Sequence, residues 1–287
     1  MFVILTAFFF WQIITPNNAD RAVIKGDFGP VFYSYRLFAA RSLRNGSLPL
    51  WNPHDYGGMP FLADPQSAVF YPFNLLLTLF VRNDTLPLIA LEFQLILHIF
   101  LAGLFTYLFA RTIGLKRFPS FISGVTFMFT GFMAAHMEHL VIINAITWLP
   151  LILLFLEKGL RQGKLRYSVP AGWAFGLSIM AGHYQMALYV ALGVLIYVIF
   201  RLAWAFQDGD ATGSLLRKGS LYPLMVMVGL AVSAVQLIPA LKLIGRSYRS
   251  AVDYQFSTTR DQAGYRCAQK RLSFPQRNFL SRLEGLR

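Results

Sequence analysis

Long apolar runs separated by short polar breaks make up most of the chain, and one polar, aromatic and glycine-rich stretch interrupts them near the start. The opening MFVILTAFFFWQII is apolar for about fourteen residues, short of the roughly twenty that cross a bilayer. It has no basic residue before it and no small-x-small cleavage pattern, so it reads as a span or a clipped span rather than a signal peptide. Either the helix tilts at a thinned bilayer edge or the true start lies upstream. From Leu86 to Ala110 the apolar run covers about 25 residues, enough at about 1.5 Å each to cross with tilt. The pattern predicts further spans at 120–136, 140–156, 168–182, 186–203 and 220–240. The fold class is therefore all-α, a polytopic transmembrane helix bundle of about seven spans.

The interrupting stretch, within a first loop of residues 16–85, contains VFYSYRLFAARSLRNG, whose apolar and basic residues recur at helical intervals. That predicts a helix lying in the membrane interface. The FYPFNLLLTLFVRND that follows has only about ten apolar residues between Pro72 and Arg82, too few to span, and is placed at the same surface. Asn52-Pro53, Gly57-Gly58 and Met59-Pro60 are turn chemistry that brings His54 and Asp55 to a corner. A loop of this length is more often functional than a mere connector. It holds Asp27, Asp55 and Asp64, with Asp20 just upstream of Asp27, together with Trp51, Asn52, His54 and Gln66.

Composition agrees with the pattern: 56% hydrophobic and 14% charged residues, against about 25% charged in soluble domains. The formal charge of +13 suggests nucleic acid until it is located. Residues 241–287 carry ten Lys and Arg against Asp253, Asp261 and Glu284, so this tail supplies +7. Of the sixteen other Lys and Arg, ten sit in short loops: Arg111, Lys116 and Arg117; Lys158, Arg161, Lys164 and Arg166; Arg201, Arg217 and Lys218. HMEH and GHYQ, at the other ends of the helices, hold neither Lys nor Arg. The positive-inside bias puts the basic loops in the cytoplasm and sends residues 16–85, HMEH and GHYQ outside. His136, Glu138, His139, His183, Tyr184 and Gln185 should then share a face with Asp27, His54, Asp55 and Asp64. An ionisable group deep in lipid costs about 2.5–3.5 kcal/mol on insertion scales, so such groups are interfacial, paired or functional. The bland alternative is that helix ends are simply wet. A lone cysteine, Cys267, excludes an intrachain disulfide and a CxxC metal site.

Gly26-Asp27, Trp51-Asn52-Pro53, Gly57-Gly58, Pro60-Phe61, Ala63, Gln66 and Phe70-Tyr71-Pro72 form a set that continues through Ala102-Gly103 and the His136/His139 region. It ends with Trp148-Leu149-Pro150 and Gly182-His183-Tyr184-Gln185. Over roughly residues 20–240, with segment lengths as expected of helical spans, this set resembles the YfhO family of bacterial multipass membrane proteins, themselves similar to glycosyltransferases of the GT-C superfamily. The resemblance implies an α-helical GT-C-like fold in the bacterial inner membrane. It also implies transfer of a sugar from a polyprenyl-phosphate carrier to an acceptor outside the cytoplasm, in some relatives an envelope polymer. The partners implied are membrane lipid, a lipid-linked sugar donor and an envelope polymer or glycolipid acceptor, with no nucleic acid. An acidic residue in the first outer loop is the implied catalytic position, which here lands on Asp27. Relatives are longer, so this chain is expected to correspond to an N-terminal part, with residues 241–287 a truncated or frame-shifted tail.

The chemistry assigns roles. A base near the acceptor hydroxyl supplies about 10²–10⁴ in rate, and Asp27 is the candidate, with Glu138 assisting. The departing phosphate needs positive charge, for which Arg21, Lys25 and Arg36 are nearby, although basic groups beside a membrane commonly just meet headgroups. His136, Glu138 and His139 could bind a divalent cation, leaving the cofactor unknown. Their spacing is not HExxH and no full ligand set is visible, so a polar helix end is preferred. Trp51, Asn52, His54, Asp55, Gln66, His136, His139, His183 and Gln185 are the remaining substrate-binding candidates. Trp51, Tyr56, Phe61, Phe70 and Tyr71 could stack on sugar, but interfacial anchoring is the preferred reading. Gly172 and Gly176 are read as helix packing, Glu92 as facing the site, and His98 as bonding a neighbouring helix. Two other classes stay open: a transporter or flippase of lipid-linked sugar, which should show paired repeats with broken helices, and a non-catalytic membrane scaffold.

Overall fold

The computed structural model describes residues 1–15 and 24–245. The basic tail expected beyond 241 therefore lies almost wholly outside the described residues. Thirteen α-helices run along the described chain: α1 (Phe2–Phe9), α2 (Trp11–Ile14), α3 (Ser34–Arg44), α4 (Pro72–Leu76), α5 (Leu88–Thr112), α6 (Arg117–Met128) and α7 (Gly131–Ala135). After these come α8 (Leu140–Ile146), α9 (Leu149–Gln162), α10 (Ser168–Met180), α11 (Tyr184–Gln207), α12 (Thr212–Gly219) and α13 (Leu221–Ile244). Five stretches, Leu88–Thr112, Arg117–Ala135, Leu140–Gln162, Tyr184–Gln207 and Thr212–Ile244, are long and apolar enough to cross a membrane. The predicted spans fall on these five and on α10. The protein is an all-α polytopic bundle.

Helix contacts fix which end is which. Phe2 packs on Tyr107 and Phe121 near the connection between α5 and α6, while Phe9 packs on Phe129 at the far end of α6. The opening helices thus run alongside α5 and α6 towards the end that carries the polar loop. Phe93, Trp173, Ile196, Phe200 and Met227 are each more than half exposed, an outward apolar belt suited to lipid. Where helices touch, small residues let backbones meet. A Cβ added at Gly124 would lie 2.6 Å from the Gly103 carbonyl oxygen, joining α5 to α6. One at Gly172 or Gly176 on α10 would strike Val228 or Val232 on α13, so the packing role expected of that pair holds. At the opposite, basic end, buried Glu157 accepts from Arg161 Nε at 2.5 Å and from the Tyr197 hydroxyl at 2.8 Å, and its Oε2 pairs ionically with Arg201, whose Nε lies 3.0 Å away. This charge-assisted triad ties α9 to α11.

The polar loop departs from the surface placement expected of it. The helix expected there is present as α3, but the segment around α4 dips into the bundle, with Phe61, Ala68 and Tyr71 wholly enclosed. Tyr71 meets His98, about 15 Å along α5 from its start at 1.5 Å per residue. Gln94 O can only accept, so His98 Nδ1 donates to it at 2.7 Å, and His98 Nε2 accepts from the Tyr71 hydroxyl at 2.6 Å. Trp148 Nε1 donates to the same tyrosine oxygen at 3.1 Å. Asn74 Nδ2 donates to the Ala68 carbonyl and its Oδ1 accepts from Gln94 Nε2. These bonds satisfy polar groups that would otherwise be stranded in an apolar interior. The anchor reading of Phe61 and Tyr71 is corrected accordingly: both are core residues. The His98 ring bonds the inserted loop, while the His98 carbonyl accepts from Thr147 Oγ1 of the neighbouring Leu140–Gln162 span at 3.3 Å.

Candidate active site

Asp27 is placed by the residue that follows it. Phe28 is wholly buried, in one apolar cluster with Leu91 and Leu95 of α5, Met133 of α7 and Leu140 of α8, and this plug anchors the Gly26–Phe28 turn to the bundle. Gly26 adopts φ +76°, and a Cβ there would lie 1.5 Å from Glu138 Oε2. Only glycine both tolerates that φ and lets the backbone rest on the carboxylate. Two segments more than a hundred residues apart in sequence therefore meet at one spot.

The imidazole of His139 sits between the two acids. Its Nε2 is 3.9 Å from Asp27 Oδ2 and its Nδ1 is 3.9 Å from Glu138 Oε1. Asp27 is 60% exposed, Glu138 41% and His139 35%, so the group is open to solvent on the Asp27 side. His136 stacks on Phe132, donates from Nδ1 to the Phe132 carbonyl at 2.9 Å, and lies 5.7 Å from the His139 ring centre to centre. His183 accepts from the Met186 amide through Nδ1 at 3.1 Å, capping α11. Burial holds its pKa below the ordinary histidine value, and the charges of His139 and His136 push it the same way. Among the described residues no three His, Cys, Asp or Glu side chains are arranged to hold a metal ion.

A second polar group lies beside the first. Asp64 caps the Pro65–Ser67 turn by accepting from the Gln66 amide at 2.8 Å, and it also accepts from the Tyr35 hydroxyl at 3.4 Å. Burial raises the Asp64 carboxyl above its usual range, opposed by those bonds and by Arg36. Arg36 is 1% exposed. Its Nη1 donates to the Ser67 and Gln66 carbonyls at 2.5 and 3.2 Å, and burial lowers its pKa to about 10. This arginine braces the turn from inside, whereas Gln66 and Lys25 are exposed. Gly182 presses on the Pro65 carbonyl, which also accepts from Gln236 Nε2 at 3.2 Å. The Gly182–Tyr184 turn thus joins the Asp64 group to the histidines.

The third group surrounds a hairpin. Asn52 and Met59 exchange backbone hydrogen bonds of 2.9 Å, the Asn52 side chain donates to Asp55 Oδ2 at 2.7 Å and accepts from the His54 amide at 3.0 Å, and Trp51 lies across Gly58. Asn52, His54 and Asp55 face α3 here rather than Asp27. Gln185 is exposed and donates along its own helix to Tyr189 at 2.6 Å. Arg21 lies outside the described residues. Of the fourteen residues expected from sequence to serve the site, Asp27, Glu138, His136 and His139 come together, with His183 electrostatically coupled to them. From the sequence, Tyr35 drew no attention, Gly26 was named only within the family set, and Asp64 was put on the shared face without a structural role. The Asp64-Pro65 pair, a helix-start signal, could have flagged the last.

A family model described as "Bacterial membrane protein YfhO" matches residues 2–281 of the chain. No curated protein and no solved structure matches it.

Proposed function

We propose, from the premise that this chain belongs to the YfhO family of bacterial membrane proteins, that it works as a membrane glycosyltransferase of GT-C type. In this reading it takes a sugar from a polyprenyl-phosphate carrier in the bacterial inner membrane and places it on an envelope acceptor at the extracytoplasmic face. The carrying observation is the meeting of Asp27 with His139 and Glu138 on one open, polar end of the bundle.

Asp27 accepts the proton of the acceptor hydroxyl as that oxygen bonds to the anomeric carbon of the sugar. The bond from that carbon to the carrier phosphate breaks, and its electron pair leaves on the phosphate oxygen. Lys25 is exposed two residues from Asp27 and supplies positive charge for that leaving oxygen, with Arg21 as its partner from sequence. Arg36, being enclosed, positions the Pro65–Ser67 turn instead. His139 holds the ground between the two carboxylates, and Glu138 seats the turn that carries Asp27.

Asp27→Asn keeps the shape and removes the base. Sugar transfer by membranes carrying this variant is expected to fall by about 10² or more, with expression and insertion unchanged. Transfer at the unsubstituted rate would end the assignment of Asp27.

A further inference from the structure

The helical run that begins at Asp27 does not stop at the reacting end. The turn Gly26–Phe28, the π-helical turn Gly29–Tyr33 and α3 follow one another without a break to Arg44. Ser34, Phe38 and Arg41 recur at i, i+4 and i+7 on α3 and so share one face. The hairpin that holds Asn52, His54 and Asp55 faces them, and the two together enclose a cleft of about 270 Å³.

The walls of this cleft are built. Asn52 is 3% exposed, and both ends of its amide are engaged within the hairpin, so the loop that presents His54 and Asp55 has a fixed shape. Phe38 is wedged edge-on against Phe61 and His54, with ring centres 4.9 and 6.3 Å away. Arg41 Nε is tied to the Asp84 carbonyl at 2.5 Å, which leaves its terminal amino groups for a ligand. Aromatic carbon, a carboxylate and a guanidinium around one small space suit a polyol. The ring face takes the weakly positive C–H surface of a sugar, while carboxylate and guanidinium take its hydroxyls as acceptor and donor. A cationic arginine and an anionic aspartate also offset each other, which favours an uncharged ligand. The volume lies just below the usual small-molecule range of about 300–1,000 Å³, so a single ring fits rather than several.

We infer that the cleft between α3 and the Asn52–Met59 hairpin is a binding subsite for one uncharged sugar ring of the acceptor glycan. This rests on the glycosyltransferase reading for its purpose, but not for its binding. Ser34 is about 10 Å along the helical run from Asp27 at 1.5 Å per residue. A ring held in the cleft is therefore not the ring whose hydroxyl reacts, and the acceptor spans both places.

Saturation-transfer NMR on the detergent-solubilised full chain tests this with glucose, N-acetylglucosamine and their β-linked di- and trisaccharides. Signal from at least one of these probes is expected. Phe38→Leu and Arg41→Gln, which leave the hairpin bonds intact, should each reduce it at least fivefold, while Asp27→Asn should leave it in place and abolish transfer. Signal unchanged in both cleft variants, absence of signal from every probe, or displacement of the sugars by poly(glycerol phosphate) at equal concentration would overturn the subsite. Binding that depends on Phe38 and Arg41 in a protein without transferase activity would instead retain the subsite and remove the reading on which its purpose rests.

Discussion

Gly26 illustrates how much of the site depends on single positions. It is one of 22 glycines, yet the loop lies on Glu138 through it, because a left-handed φ coincides there with a seat against the Glu138 carboxylate that a Cβ would displace. The sequence reading brought Asp27, Glu138 and His139 to the same face from the charge of distant loops, and their side chains do converge. It could not separate them from His54 and Asp55, since topology sorts residues by face and not by position within it. His183 offers a pH test at this scale. Its folded pKa is depressed by burial and by the neighbouring histidines, whereas an unfolded histidine titrates near about 6.5. As pH falls through that value the unfolded chain binds the proton first, so the stabilising difference is whole above about pH 6.5 and shrinks below it. His183→Asn, which keeps a capping acceptor for the Met186 amide, should flatten that loss. Melting followed from pH 7.5 to 5.5 should drop less in the variant than in the parent, and equal drops would exclude His183 as a contributor.

Among the elements, the spans were readable because length and apolarity decide them locally: α5, α6, α11 and α13 fall where the runs predicted. The segment around α4 was not. Ten apolar residues are too few to cross, so surface placement followed, but a short segment can also enter from one side when its polar groups find partners inside. Those partners, His98, Gln94 and Trp148, lie on other elements, and no window of sequence around Tyr71 contains them. Tyr71→Phe would strand the Trp148 donor and the His98 acceptor at a cost of about 1–3 kcal/mol. A clear fall in unfolding temperature with unchanged insertion is the expected result, and an unchanged temperature would mean that the loop does not enter the bundle. The close approaches of Gly103 to Gly124 and of Gly172 and Gly176 to α13 give the frame on which this inserted loop rests.

For the molecule as a whole, charge is separated by end. The Glu157, Arg161 and Arg201 network and the Asp210–Lys218 pair lie at the end of the short basic loops, and the acids and histidines gather at the other. The lipid-linked donor proposed above would keep its chain among the exposed apolar side chains while its phosphate and sugar reach the polar end. In the proposed function Asp27 and Glu138 open together to the compartment outside the cytoplasm. With Cys267 replaced by serine, single cysteines at positions 27 and 138 can be probed on intact cells with a membrane-impermeant thiol reagent. Both positions should be labelled without permeabilisation, and a cysteine in the Lys158–Lys164 loop should not; labelling of only one of the two, or of the loop in their place, would contradict the account.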